Sequence, residues 1–267
     1  KNVAQNGFVF FENAMGYHFK TIDRLIAEIN AQTPEQKTKF KEGKAKLYSY
    51  TYSPKNLDQT READIYKIKN LSFPEERNYL IGLRQGAWAG YTIGFDPVTI
   101  TKSNYGESED MPVAKDAYTL DNAWKKMQHL GKNTRNPLEE VDEFVQQTSK
   151  ISKRTRYCVV PNQLFDQKGQ QVPSENYEQL VSLQSYQWMR MQSLKAVQLS
   201  VTIPGNLDLY AGYGVDISIP VNVPSKKIEM DKVYSGKYMI AAVSHYGNAT
   251  TMETELYLLK DGIRKVK

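Results

Sequence analysis

The chain has 267 residues, 40% of them hydrophobic, enough to bury the core of one large domain or two ordinary ones, which excludes disorder as its overall state. A single cysteine excludes a disulfide framework and fits a reducing assembly compartment. The net charge of +5 is modest over this length and comes without a block of Lys and Arg; no run of about 18 apolar residues is present, so no stable membrane insertion is indicated.

The opening "GFVFFENAMGYHFKTIDRLIAEIN" divides into a strand, Phe8 to Phe11, a turn around Asn13 to Gly16, and a helix. Thr21 is the predicted N-cap, Asp23 lies at the positive end, and Ile22, Leu25, Ile26 and Ile29 recur at the three-and-four spacing of an apolar stripe. Thr33-Pro34 ends the helix. "KLYSYTY" alternates Leu47, Ser49 and Thr51 with Tyr48, Tyr50 and Tyr52, as a strand with one aromatic face does. "DIYKIKNLSF" alternates poorly. "PEERNYLIGLRQG" has Pro74 at a helix start, Glu75 and Glu76 in the first turn and Gly86 at the end, with Tyr79, Leu80 and Leu83 facing a core. "AWAGYTIGFDPVTITKSNY" is rich in aromatic and β-branched residues and reads as one hairpin or two consecutive strands, with Gly90 and Gly94 at a bend and Asp96-Pro97 at a turn.

The middle of the chain has weaker patterns. "GESEDMP" reads as an acidic loop, "LDNAWKKMQHLGKN" as a short helix ended by Gly131, and "NPLEEVDEFVQQTSK" as an amphipathic helix through Leu138, Val141, Phe144 and Val145. "RYCVVP" is strand-like, and Cys158 within it reads as a buried small hydrophobe, the alternative being a reactive thiol. A helix capped by Ser174 then buries Tyr177, Leu180, Val181, Met191 and Leu194. It feeds into "KAVQLSVTI" and "VDISI", two strands with apolar residues at every second position, joined through the corner "PGNLDLYAGYG". "YMIAAVSHY" and "TTMETELYLLK", joined across Gly247-Asn248, complete an antiparallel sheet with one face buried.

No catalytic, metal or cofactor site emerges. His18, His129 and His245 have no ligand spacing with one another or with Cys158, and the glycines of "GLRQGAWAG" match no phosphate loop or dinucleotide fingerprint. Glu12 with His18 or Asp64 would be the acid and base of a glycoside hydrolase, but "FFEN" reads as a strand end whose carboxylate caps or pairs locally. His245 beside Ser244 reads as a hydrogen-bonded barrel residue.

The order of these pieces resembles a known family. "FVFFENAMGYHFKTIDRLI" is similar to the connector of baseplate (tail) hub proteins of contractile-tailed, T-even-like bacteriophages. The run from "YEQLVSLQSYQWMRMQSL" through "LSVTIPGNLDLYAGYGVDISIP" to "YSGKYMIAAVSHY" and "METELYLLKDG" resembles their second tube-like barrel. The resemblance implies an α+β fold, a tail-tube-like antiparallel β-barrel with an inserted helical/mixed subdomain. It implies a non-enzymatic virion protein, assembled in the host cytoplasm into the tail baseplate. Its partners would be two further copies in a homotrimer, a tail tube or tube-initiator protein and a central spike protein, with genomic DNA passing through the channel without specific binding. A first barrel would precede "FVFFEN", where only a few residues stand; the chain is then expected to be part of a longer hub or a one-barrel relative, the start at Lys1 favouring the former.

The expected organisation is a connector and part of an α+β subdomain over 1–84, the first barrel strands over 85–105, the inserted subdomain and helix over 106–194, and the rest of the barrel over 195–267. Pro204, Gly205, Asn206, Leu209, Gly212 and Gly214 form the candidate barrel corner and assembly contact, the glycines allowing a close backbone approach. Barrels in a ring are expected to join laterally through strand edges or polar outer positions such as Gln198, Ser200 and Thr202. The alternatives are a carbohydrate- or receptor-binding virion module, which exposed rings on "YSYTY" would support, and a spike-associated glycan hydrolase.

Overall fold

A computed structural model describes residues 7–32, 46–53, 64–74, 79–97, 101–102, 118–120, 124, 134–135, 137–140, 142–149, 154–159, 184–222, 228–261 and 263–264. The expected acidic loop "GESEDMP", the Ser174 cap, the buried roles of Tyr177, Leu180 and Val181, and all but Leu120 and Trp124 of the expected helix in "LDNAWKKMQHLGKN" lie outside the described residues.

In chain order the strands are β1 (Phe8–Asn13), β2 (Gly16–Thr21), β3 (Tyr48–Tyr52), β4 (Lys67–Ile68), β5 (Asn70–Ser72), β6 (Ala89–Asp96), β7 (Thr101–Lys102), β8 (Tyr118–Thr119), β9 (Thr134–Arg135), β10 (Thr155–Val159), β11 (Gln198–Pro204), β12 (Gly214–Ser218), β13 (Pro220–Asn222), β14 (Ile228–Met230), β15 (Gly236–Gly247), β16 (Met252–Leu259) and β17 (Ile263–Arg264). Helix α1 is Ile22–Ala31. Two compact units result: 1–8, 78–128 and 136–193 form one, and 9–77, 129–135 and 194–267 form the other.

The second unit is built on a seven-stranded sheet in the order β4-β3-β12-β15-β16-β11-β5. Its two ends are consecutive in the chain. Segment 67–72 pairs with β3 through Lys67 and Ile68, and with β11 through Asn70 to Ser72; Lys69 N–H, between them, donates to Thr202 O at 2.8 Å. One stretch of chain thus links both ends of the sheet, and the fold is α+β with a barrel-like sheet whose edges are all but removed. Pairing is antiparallel from β12 through β15, β16 and β11 to β5, and parallel where β3 meets β12 and β4. The interior is filled by alternate residues of these strands: Tyr50, Ile68, Leu199, Val201, Ile203, Val215, Ile217, Tyr238, Ile240, Leu256 and Leu258 are all at most 1% exposed.

Helix α1 forms as its sequence dictates. The Thr21 hydroxyl accepts from Arg24 N–H at 3.2 Å, Asp23 lies in the first turn, and Ile22, Leu25, Ile26 and Ile29 are the buried stripe. Ile22 and Ile26 pack with Leu194, Val9, Met239 and Leu259 on the outside of the barrel wall. Ahead of the helix, the expected turn falls at Ala14 and Met15, and Gly16–Thr21, which the pattern left unassigned, is a strand paired with β1. The cap signal at Thr21 is real, but the alternating "GYHF" before it is a strand signal that the helix reading overlooked.

The other unit holds a separate sheet in the order β10-β6-β7, with β8 also on β6. This corrects the expectation that 85–105 supplies barrel strands: β6 runs parallel to β10 from Tyr91↔Thr155 to Phe95↔Val159, and among the described residues no barrel strand pairs with it. The barrel strands come from 48–52 and 67–72 instead. Helix Tyr79–Gln85 turns Gly82 inward, where Trp88 lies on it, while Leu80 is 73% exposed, contrary to the expected inward position. Gly86 ends the helix with φ +78, as its position predicts. The region of Leu138 to Val145 is a 3₁₀ turn, Pro137–Glu140, and a short helix, Glu143–Ser149, with Leu138 buried and Phe144 exposed. In the helical stretch 184–193, Tyr186 and Met189 are inside and Met191 is exposed, which corrects its place in the expected stripe. Cys158, on β10, is half-buried, and burial pushes its thiol above the usual range, as suits a packing residue and not a nucleophile. No helix among the described residues is long and apolar enough to cross a membrane.

Candidate functional site

The corner 205–213 leaves the end of β11 and enters β12, yet these strands are not neighbours in the sheet: β15 and β16 lie between them. The segment therefore spans the end of the barrel. Leu209, 1% exposed, joins the core cluster from this position.

Several polar groups of the span are tied to the barrel. Gly205 N–H donates to Met252 O at 2.8 Å, and Asn206 N–H to the buried Thr254 hydroxyl at 3.0 Å. The Asn206 amide donates to Tyr50 Oη at 2.8 Å while its Oδ1 accepts from Asp208 N–H at 3.0 Å, an Asx turn locked onto the barrel core. Tyr48 Oη donates to Asp208 Oδ2 at 2.6 Å, with Lys46 Nζ 3.9 Å from the same oxygen. Burial, and then the Asp208 carboxylate, hold the Tyr48 hydroxyl well above the usual tyrosine range. Burial does the same to Tyr50, opposed in part by the Asn206 hydrogen bond. Both phenols are neutral near pH 7 and serve the cluster as hydrogen-bonding groups. Asn206→Ala removes the Tyr50 donor and the Asx acceptor together, and a loss of about 1–3 kcal/mol in chemical denaturation is expected.

Beyond Leu209 the span meets the β1–β2 hairpin. Asn13 Nδ2 donates to Ala211 O at 2.9 Å, and the Phe11 ring lies where a side chain at Gly212 would be: an added Cβ would stand 2.4 Å from its Cζ. Gly212 has φ +83, and its N–H donates to Ile240 O at 2.8 Å. At Gly214 an added Cβ would meet Ile29 at 2.5 Å and Leu47 at 2.9 Å, so a side chain there would have to displace both of theirs. Of the six predicted residues, Pro204, Leu209 and Gly214 are buried within the unit; Gly205 is exposed, as are Leu207 and Asp208 beside the set.

Other predicted features lie elsewhere. His18 Nε2 is 2.9 Å from Asn13 Oδ1 and the ring stacks on Phe11 with centroids 4.9 Å apart, while Glu12 is exposed and Asp64 buried. His245 Nδ1 is 2.9 Å from Thr254 Oγ1, the hydrogen-bonded role expected of it. Among the described residues no group of three His, Cys, Asp or Glu side chains is placed to hold a metal. The rings of "YSYTY" are no exposed row: Tyr50 is 1% exposed and Tyr48 is tied to Asp208, so the surface that would support a carbohydrate reading is closed. Strand β11 lies between β16 and β5, which corrects the expectation of a joining edge there; Gln198 is buried, and Ser200 donates to Glu255 at 3.3 Å on the wall.

No family model and no curated protein matches this chain. Among the solved structures similar to it are two tail proteins. One is the tail protein from Neisseria meningitidis MC58, with 11% identity and a TM-score of 0.36, the match covering 97% of this chain and 52% of that one. The other is the 43 kDa tail protein of prophage MuSo2 from Shewanella oneidensis, with 7% identity and a TM-score of 0.39, covering 96% and 51%. This chain spans about half the length of each. The residues that sequence reasoning missed are those of the outer hairpin face, Phe10, Tyr17 and Phe19; their alternation within "FVFF" and "GYHF" was the available signal.

Proposed function

We propose that this chain is a structural subunit of a phage tail, a baseplate hub component whose barrel is one member of a closed threefold ring between a hexameric tail tube and a trimeric spike. The observation that supports it best is the barrel itself. It is linked end to end by segment 67–72, filled with buried side chains and spanned at one end by a corner hydrogen-bonded to the barrel core, a block suited to stacking with its neighbours. The order of motifs along the chain, which resembles that of T-even-like hubs, supports the same reading. In this role the ring surrounds the channel for DNA, the exposed corner residues Gly205, Leu207 and Asp208 face a neighbouring subunit or the tube, and the tube-initiator and spike proteins stack above and below. Mixing the intact protein with its tube and spike partners and imaging the product by electron microscopy is the test. Closed threefold rings are expected; a chain that stays monomeric beside both partners would overturn the proposal.

A further inference from the structure

A two-stranded ribbon has two faces, and in β1–β2 they differ sharply. The inner one is held by Val9 against the Ile22, Ile26 and Leu194 cluster, by Phe11 under Gly212 and by the Asn13 to Ala211 hydrogen bond. The outer one presents Phe10, Tyr17 and Phe19 at 69%, 73% and 69% exposure, with Met15 at the turn at 57%. Phe10 and Tyr17 stack, with ring centroids 6.1 Å apart and planes 3° from parallel, so the surface is already formed.

Scattered exposed apolar residues need no explanation, whereas a contiguous row on one seated face does. Two of the three rings are Phe, without the hydroxyl or indole N–H by which aromatic platforms also hydrogen-bond sugars, which disfavours a glycan. Glu12 continues the same face and is exposed, giving the patch a charged rim that disfavours insertion into a bilayer. Three rings of roughly 150–250 Å² each, about two-thirds exposed, together with Met15 offer on the order of 400–600 Å². Counted on both molecules, that is about 800–1,200 Å², the size of a small, weak interface. The long barrel strands β11 and β16 are paired on both sides, so contact with another molecule falls to faces rather than to their edges.

We propose that the outer face of the β1–β2 hairpin, with Phe10, Tyr17 and Phe19 at its centre, docks on a second copy of this chain. A copy is the one partner always present at equal concentration to cover such a surface, and association covers it without any rearrangement of the hairpin. The inference rests on the hairpin and not on the hub reading, which requires three copies and places the corner residues, not the hairpin, at its contacts.

Sedimentation velocity of the intact protein across a range of concentrations tests it, in wild type, in the triple variant Phe10→Thr, Tyr17→Thr, Phe19→Thr, and in Tyr17→Lys alone. Threonine keeps strand propensity, so both variants are expected to retain the far-UV spectrum and melting temperature of wild type. Self-association is expected to weaken about a hundredfold in the triple variant, as loss of a central aromatic cluster does. Should the triple variant misfold, Tyr17→Lys decides alone. A monomeric wild type, including one that instead floats with phosphatidylcholine–phosphatidylglycerol vesicles, or folded variants that associate like wild type, would overturn the proposal. A dimer dissolved by the substitutions upholds this face and counts against the threefold ring; a trimer indifferent to them does the reverse.

Discussion

Gly212→Val is expected to lower the unfolding free energy by about 3 kcal/mol in urea denaturation. Two costs add. At φ +83 a side chain with a branched Cβ crowds its own backbone, worth about 1–2 kcal/mol. The new Cβ would also stand 2.4 Å from Phe11 Cζ, so the ring must leave the face it packs against, an overpacking cost of about 1–3 kcal/mol. The two can be separated. In a Phe11→Ala background the collision is gone, so Gly212→Val is expected to cost only the backbone term, and the coupling in the double-mutant cycle measures the rest. Gly16, with φ +112 and nothing within 4 Å of an added Cβ, is the control in which only the backbone term exists. A Gly212→Val protein within 1 kcal/mol of wild type, or a cycle without coupling, would contradict the seating of the hairpin on the corner.

How much of this was legible depended on whether the signal was local. Helix α1 could be read almost to the residue because its stripe, its Thr21 cap and its stop all lie within a dozen positions. Strands β11, β12, β15 and β16 were legible from alternation, and the β15–β16 turn from Gly247-Asn248, where Asn248 Oδ1 accepts from Thr250 N–H at 2.9 Å and Thr251 N–H at 2.7 Å. Segment 67–72 was not legible, because it changes partner at Lys69: Ile68 is buried beside β3, and the next residues turn to β11. Half a strand on each side leaves no regular period. Strand β6 carried a true β signal with the wrong destination, since its parallel partner β10 lies some sixty residues on and parallel pairing needs no local turn to announce it.

The site was legible as geometry but not as surface. Glycine at 212 and 214 correctly marked close approach, and Asn206 correctly marked a turn. Whether Leu209 faces a partner or the core depends on β11 and β12 being two strands apart, which alternation within either strand cannot state. The hairpin face was overlooked because its second strand, plain in its aromatic alternation, stood unassigned between the turn at Asn13 to Gly16 and the cap at Thr21.

The barrel core is expected to give way cooperatively in alkali, because it holds tyrosines whose ionisation burial holds well above the usual range while the chain is folded. Tyr238 is 0% and Tyr50 1% exposed. Burial raises both hydroxyls well above the usual tyrosine range; the neighbouring Tyr234 and Asp231 add to this at Tyr238, whose proton is donated to Tyr234 O at 2.6 Å. In the unfolded chain each ionises near pH 10. Above that pH the folded state binds more protons than the unfolded one, so stability falls as pH rises, by about 1.4 kcal/mol per pH unit for each buried tyrosine, while below it these groups contribute no pH dependence. Two such groups remove about 2.7 kcal/mol per unit, enough to exhaust the roughly 5–15 kcal/mol of an ordinary domain within a few units. Phenolate absorbance at 295 nm followed with far-UV circular dichroism should therefore show some of the 18 tyrosines titrating near pH 10 and the buried ones only as the sheet signal collapses. Tyr238→Phe supplies the decisive comparison. It is expected to be about 1 kcal/mol less stable at pH 8, having lost a hydrogen bond, yet to lose stability less steeply above pH 10, so that its curve converges on that of wild type. A single smooth titration of every tyrosine with the sheet intact, or an unchanged alkaline slope in Tyr238→Phe, would show that the barrel interior is open to hydroxide and that the core is not packed as described.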